Sequence, residues 1–100
     1  MDIKTGIRQL FKDNFTVSRE WLDFYFSTAY DERCALTAEQ DGAIASSLML
    51  DSYSMKLGDS LIDTGYIFGA STARRQRGKG LMSALLKDAL AEARNRGLAL

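Results

Sequence analysis

The sequence predicts one α/β domain, a layered α+β arrangement of two N-terminal helices, a three-stranded antiparallel meander and a final helix. Three observations predict it. Apolar residues recur at helical spacing over the first 29 positions. From Cys34 the period changes, and Asp41-Gly42 and Gly58-Asp59 interrupt the new pattern as hairpin turns would. Helical spacing then returns after a short turn that holds two glycines and four cations.

Ile3, Ile7, Leu10 and Phe11 share one helical face, so residues 3–12 read as a short helix. Ser18 suits the N-cap of a second helix over residues 19–29, with Glu20 well placed in its first turn. Its apolar stripe is Leu22, Tyr25, Phe26 and Ala29, widened by Trp21, Phe24 and Tyr30. These aromatics are read as core, since rings supply much of the bulk of a small core; the other reading has some of them lining a substrate slot. Residues 34–40, 43–57 and 60–72 read as strands. Gly65 and Gly69 sit where a strand prefers side chains, which points to a bulge or a close backbone approach, or to ordinary twist around small residues. The last helix is placed at residues 79–96. Leu81, Met82, Leu85, Leu86, Ala89, Leu90 and Ala93 form its apolar half, and Gly97 caps its C-terminus. Leu98-Ala99-Leu100 begins what looks like another strand.

With 100 residues and 46% hydrophobic content, the chain suits one domain with one core. A single cysteine, Cys34, rules out an internal disulfide, and histidine is absent. Together these exclude zinc clusters, Cys/His nucleophilic pairs and imidazole bases, so no metal is expected. No apolar run approaches the roughly 18 residues of a membrane span, and residues 1–4 lack signal-peptide character. No membrane partner and a cytoplasmic location are the expectations.

A formal net charge of zero hides an asymmetry. Residues 1–70 carry six Lys/Arg against eleven Asp/Glu, a net −5; residues 71–100 carry seven against two, a net +5. Arg74, Arg75, Arg77, Lys79 and Lys87 crowd in or just after the turn. Unpaired amides at the positive end of a helix, with glycines that let the backbone close in, make a seat for a phosphate or pyrophosphate. A field so localised suits one anionic ligand better than a long nucleic-acid track.

The segment Arg77-Gly78-Lys79-Gly80-Leu81-Met82, followed by Ser-Ala-Leu-Leu-Lys, resembles the cofactor-binding turn of the GNAT superfamily of acyl-CoA-dependent N-acetyltransferases. The family pattern there is Gln/Arg-x-x-Gly-x-Gly/Ala, and the order of elements before it also agrees. The resemblance implies one GNAT-like domain over residues 1–100, without the C-terminal strands that family members carry. It implies acetyl-CoA as acyl donor, held by Ala70, Ser71 and Thr72 beside the pantetheine arm. Arg77, Gly78, Lys79, Gly80, Leu81, Met82 and Ser83 would surround the pyrophosphate. Met82 departs from the pattern, and its side chain must turn onto the apolar face. A Leu-Met pair there looks like that of longer, multi-domain branches, which suggests the N-terminal part of something larger.

The implied reaction is attack of a primary amine on the thioester, with backbone N–H groups stabilising the oxyanion. The acceptor could be a small molecule or a protein. Asp63 is the one carboxylate considered for the amine's proton, but it lies far along its strand from the turn, as a solvated residue would. The family's thiolate acid, a tyrosine, would fall beyond residue 100. No catalytic residue is assigned.

Other readings stand beside this one. A P-loop is rejected, because Gly69 is too far from Gly78-Lys79 and Gly80 stands where Ser or Thr is required. A nucleic-acid module would use Arg74-Arg75-Gln76-Arg77, but the acidic first 70 residues and the lack of aromatics beside the run oppose it. A truncated, non-catalytic interaction domain is the remaining alternative. In that case the open edge of the motif strand is expected to pair with a second copy. The turn could also be a solvated strand-to-helix loop without a ligand.

Overall fold

Residues 2–99 are described by the structure, a computed structural model. Helix α1 spans Ile3–Asn14, and the Asp2 carboxylate accepts from the Thr5 amide as its N-cap. Helix α2 spans Arg19–Phe24, capped by Ser18 Oγ accepting from the Trp21 amide. Strands β1 (Ala35–Gln40), β2 (Ala43–Leu57) and β3 (Ser60–Thr72) form one antiparallel sheet in the order β1-β2-β3. Helix α3 spans Leu81–Asn95.

Both hairpins close as their sequences require. Asp41 and Gly42 each take positive φ, 54° and 77°, the conformation of a type I′ turn, whereas at the second turn Gly58 takes 62°. Helix α3 ends in a Schellman arrangement: the Gly97 amide donates to Arg94 O at 3.1 Å and the Leu98 amide to Ala93 O at 2.8 Å. Past that cap Ala99 pairs in parallel with Thr64 on the outer edge of β3. Its amide donates to Asp63 O at 2.9 Å, and its carbonyl accepts from the Gly65 amide at 2.7 Å. The strand expected at residues 98–100 therefore begins in the right place, although Leu100 lies outside the described residues.

The sheet is covered on both faces as far as Leu50 of β2, and the β2-β3 hairpin end beyond it is exposed. Period-two alternation sends Leu48 and Leu50 of β2 to one face, where they pack with Leu85, Ala89 and Ala93 of α3. The other face receives the aromatic cluster of Ile7, Phe11, Leu22 and Phe26, with Phe68 of β3 and Tyr25 against it. Phe11 is its centre. Its ring meets Phe26 edge-on at 5.3 Å and Phe68 at 5.9 Å between centroids. Burying such a ring contributes about 1.5–3 kcal/mol.

Several sequence expectations shift. The second helix does not run to residue 29 as an α-helix: Tyr25–Ala29 is a π-helical turn, closed by the Tyr30 amide donating to Tyr25 O at 2.9 Å. Phe24 is 66% exposed rather than core. Residues 32–34 form a 3-10 turn and the first strand starts one position later. Helix α3 starts at Leu81 because Gly80 is left-handed and cannot continue the helical path backward. Leu86 and Leu90, placed on the apolar half, are exposed. A three-stranded sheet is narrow, and it covers only the stripe through Leu85, Ala89 and Ala93.

Candidate functional site

The anticipated irregularity in β3 is a bulge. Ser47 pairs with Ser71 and Met49 with Phe68, so two residues, Gly69 and Ala70, stand opposite Leu48 alone. Gly69 has φ 66°, and a Cβ added there would fall inside van der Waals contact with Phe11 Cζ and lie 2.8 Å from Cε1. Only glycine satisfies both demands. Below the bulge, Ser46 Oγ donates to Ser71 O at 3.1 Å and shares a 2.9 Å bond with Thr72 Oγ1. Ser71 is buried and Ala70 exposed. The next residue, Ala73, donates its amide to Ala45 O at 2.7 Å. The end of the strand is thus fastened to β2, and the turn starts from a fixed point.

A 3-10 turn over Arg74–Gln76 follows, and then Gly78 and Gly80 with φ 83° and 78°. Among the described residues, the amides of Gly78, Lys79, Gly80, Leu81, Met82 and Ser83 find no acceptor within the chain. Six consecutive free donors lie at the positive end of a 15-residue helix. Nothing approaches the Cβ positions of Gly78 or Gly80 within 4 Å, so the backbone there faces open space. Met82 packs its side chain against the α3 core cluster, away from the amides. The cations divide. Arg77 Nη2 donates to Asn14 Oδ1 at 2.5 Å and Nε to Thr72 O at 3.4 Å, which braces the turn against α1 and the strand end. Lys79 Nζ donates to Gln76 Oε1 at 2.7 Å. The exposed side chains of Arg74 and Arg75 make no ion pair among the described residues.

The opposite face of the bulge opens into two cavities separated by Phe68. The smaller, about 210 Å³, is apolar and lined by Phe11, Phe15, Val17, Trp21 and Gly69. The larger, about 760 Å³, is walled by Tyr25, Tyr53, Tyr66 and Phe68, with Asp31, Asp51 and Cys34 among its polar groups. Asp51 pairs across the sheet with Tyr66 and shares its face. Burial, and then the Asp51 charge, push the Tyr25 hydroxyl up to about 12. The Asp51 charge, ahead of burial, raises Tyr66, whereas burial ahead of that charge raises the Cys34 thiol. All three groups stay protonated at neutral pH, so Cys34 is not a thiolate nucleophile.

The segment 70–83 that the sequence singled out is therefore brought together in one run of bulge, turn and helix start. Asp63 is not part of it. Its carboxylate accepts from Ser54 Oγ at 2.8 Å on the exposed part of the hairpin. The larger cleft is walled in part by Tyr25, one of the helical aromatics that the alternative reading put along a substrate slot; Asp51, Tyr53 and Tyr66 were not singled out. A further signal was Asp51 itself, an aspartate inside the otherwise apolar strand segment Leu48-Met49-Leu50-Asp51, where aspartate is depleted.

The family model described as "Acetyltransferase (GNAT) domain" matches residues 3–100. The chain belongs to the GNAT acetyltransferase family. Solved structures agree on the fold. A GCN5-related N-acetyltransferase from Kribbella flavida superposes with a TM-score of 0.80 at 15% identity, over 97% of this chain and 27% of that one. A ribosomal-protein-alanine N-acetyltransferase from Brucella melitensis biovar Abortus 2308 gives 0.69 at 22%, over 95% and 68%. A predicted acetyltransferase from Clostridium acetobutylicum, crystallised with acetyl-CoA, gives 0.67 at 20%, over 96% and 68%. The chain thus spans about a quarter of the first and about two thirds of the others. No curated protein matches the sequence. The fold class and the family resemblance read from the turn both stand.

Proposed function

We propose that this GNAT domain binds acetyl-CoA along residues 70–83 and serves transfer of its acetyl group to a primary amine. One observation carries the reading: six consecutive amides, from Gly78 to Ser83, are without an acceptor at the start of α3, and the Cβ positions of Gly78 and Gly80 meet nothing within 4 Å. That is the donor set a pyrophosphate needs, and the residues present fit it. Gly78 and Gly80 hold left-handed φ with no side chain to crowd an anion, and Met82 keeps its side chain in the core cluster. The helix dipole adds about 0.3–1 kcal/mol toward an anion there. Arg77 supports this arrangement by holding the turn to Asn14 and Thr72.

The outer edge of β3 beyond Gly65 carries no strand among the described residues, so its backbone groups can pair with the amides of the pantetheine arm. Ala70, Ser71 and Thr72 are the residues of that edge nearest the turn. Acetyl-CoA supplies an acetyl group already activated as a thioester. The chain's part is to fix the donor, to point bulge amides at the carbonyl oxygen and to keep the β3 backbone rigid through Ser46 and Ala45. Titrating CoA into ¹⁵N-labelled protein tests this. The amide signals of Gly78–Ser83 are expected to move together and saturate. Movement confined to the acidic half would overturn the assignment.

The same open edge favours a second reading, in which another strand, from a second copy of the chain, pairs along residues 66–72. Sedimentation at rising concentration tests it: a dimer that acetyl-CoA dissociates is the expected result, and a strict monomer refutes it.

A further inference from the structure

The larger cleft has a chemistry of its own. Its walls are aromatic, with Tyr25 tilted against Phe68 at 5.4 Å between centroids and Tyr53 meeting Tyr66 edge-on at 5.7 Å. Two carboxylates line it, and they are not equivalent. Asp31 is spent on Arg33, which donates to it through Nε at 3.0 Å and Nη2 at 2.8 Å. Asp51 is half-buried in mid-strand and makes no ion pair among the described residues; its polar partners are the Tyr66 hydroxyl and the Cys34 thiol, neutral groups that leave its charge without a counter-cation. Around it stand Tyr25, Tyr66 and Cys34, all neutral. No lysine or arginine lines the cleft.

A partly desolvated carboxylate among ring faces is complementary to a cation, through charge and through the negative faces of the rings. Tyrosine hydroxyls can donate to a carboxylate, but no cation of the lining pairs with one, and the Asp51 charge repels it. The volume suits a small molecule rather than a macromolecular segment. Position matters too. Phe68, which lines the cleft, directly precedes the bulge at Gly69 and Ala70, and Tyr66 lies only three residues, about 10 Å of strand, from Gly69.

We infer that this cleft receives a small primary ammonium whose body is aromatic or apolar and which bears no carboxylate beside the nitrogen, and that Asp51 is the residue selecting it. The inference deepens the acetyltransferase reading by naming the acceptor class, and it rests on that reading only for what the bound amine does next.

The test needs no acetyl-CoA, so its failure leaves the donor-site reading intact. Tyramine and tyrosine share a ring and an amine and differ by one carboxylate. Each is titrated into the ¹⁵N-labelled chain, wild type and Asp51→Asn. Tyramine is expected to saturate with shifts at Asp51 and Tyr66, and to bind at least tenfold tighter than tyrosine. Asp51→Asn should weaken tyramine about tenfold and remove the preference. Absence of saturable tyramine binding, equal binding of tyrosine, or a folded Asp51→Asn protein with unchanged affinity would each overturn the proposal. Should Asp51→Asn lose its dispersed spectrum, the wild-type ratio of the two ligands decides alone.

Discussion

Replacing Gly69 by alanine probes the point on which the sheet, the aromatic core and the bulge all depend. The residue sits at φ 66°, where an L side chain costs about 1–2 kcal/mol. Its new Cβ would also collide with the Phe11 ring, 2.8 Å from Cε1 and closer still to Cζ. That ring is 1% exposed and packed against Phe15, Tyr25, Phe26 and Phe68, so it has nowhere to retreat. Overpacking of this kind costs about 1–3 kcal/mol, for a total of about 2–5 kcal/mol. At about 4–8 °C per kcal/mol for a domain near this size, the melting temperature should fall by tens of degrees. Urea unfolding followed by circular dichroism measures the free energy directly. The partner variant sharpens the test. Phe11→Ala alone costs about 3–5 kcal/mol, but it also clears the space that the Cβ needs. The double variant should therefore be less destabilised than the sum of the singles, by at least about 1 kcal/mol. Gly69→Ala within about 0.5 kcal/mol of wild type, or strict additivity with Phe11→Ala, would refute the account of this bulge.

Three further outcomes follow from neighbouring features. Ser47 and Ser46 are adjacent and both fully buried, but Ser47 Oγ has no partner whereas Ser46 Oγ holds Ser71 and Thr72. Ser47→Ala should be neutral or stabilising and Ser46→Ala should cost about 1–2 kcal/mol, so the reverse order in urea unfolding would contradict the hydrogen-bond assignment. Tyr25 has a folded-state pKa raised above its unfolded value, so it favours folding fully below pH 10, and that stability is lost as pH rises toward about 12. Melting temperature should drop over that window, with a shallower drop in Tyr25→Phe; identical profiles for the two proteins would refute the burial of its hydroxyl. Arg77→Ala should detach the turn from α1, lowering stability by about 0.5–1.5 kcal/mol, and in its presence Asn14→Ala should cost less than it does in the wild type, keeping only the loss of the Asn14 Nδ2 bond to Leu10 O. Full additivity would show that the two side chains act separately.

Much of the fold could be read from local chemistry. Asp41-Gly42 specifies a turn with two positive φ angles, and Gly97 supplies the left-handed residue that ends α3; each signal is contained within a few residues. The basic turn was legible for the same reason, since its glycines and the helix start lie side by side in the chain. What escaped depends on partners distant in sequence. The π-turn at Tyr25–Ala29 adds one residue to a helical turn without disturbing the apolar period that marks the helix. The exposure of Leu86 and Leu90 follows from how many strands lie beneath α3, which a helical wheel does not record. Arg77 carries the expected charge, yet its guanidinium bonds Asn14, 63 residues away in sequence, a pairing no local pattern announces. The aromatic cleft joins Tyr25, Cys34, Asp51 and Tyr66 from four separate segments, so only the folded sheet brings it into being.

The central claim, that the turn at residues 77–83 seats the pyrophosphate of acetyl-CoA, is tested most directly by calorimetric titration of the chain with acetyl-CoA beside a Gly80→Glu variant. Saturable binding by the wild type is expected, with at least a tenfold loss in the variant, whose carboxylate is placed next to the free amides. A folded wild-type chain that binds no acetyl-CoA, or a variant that binds it equally well, would contradict it.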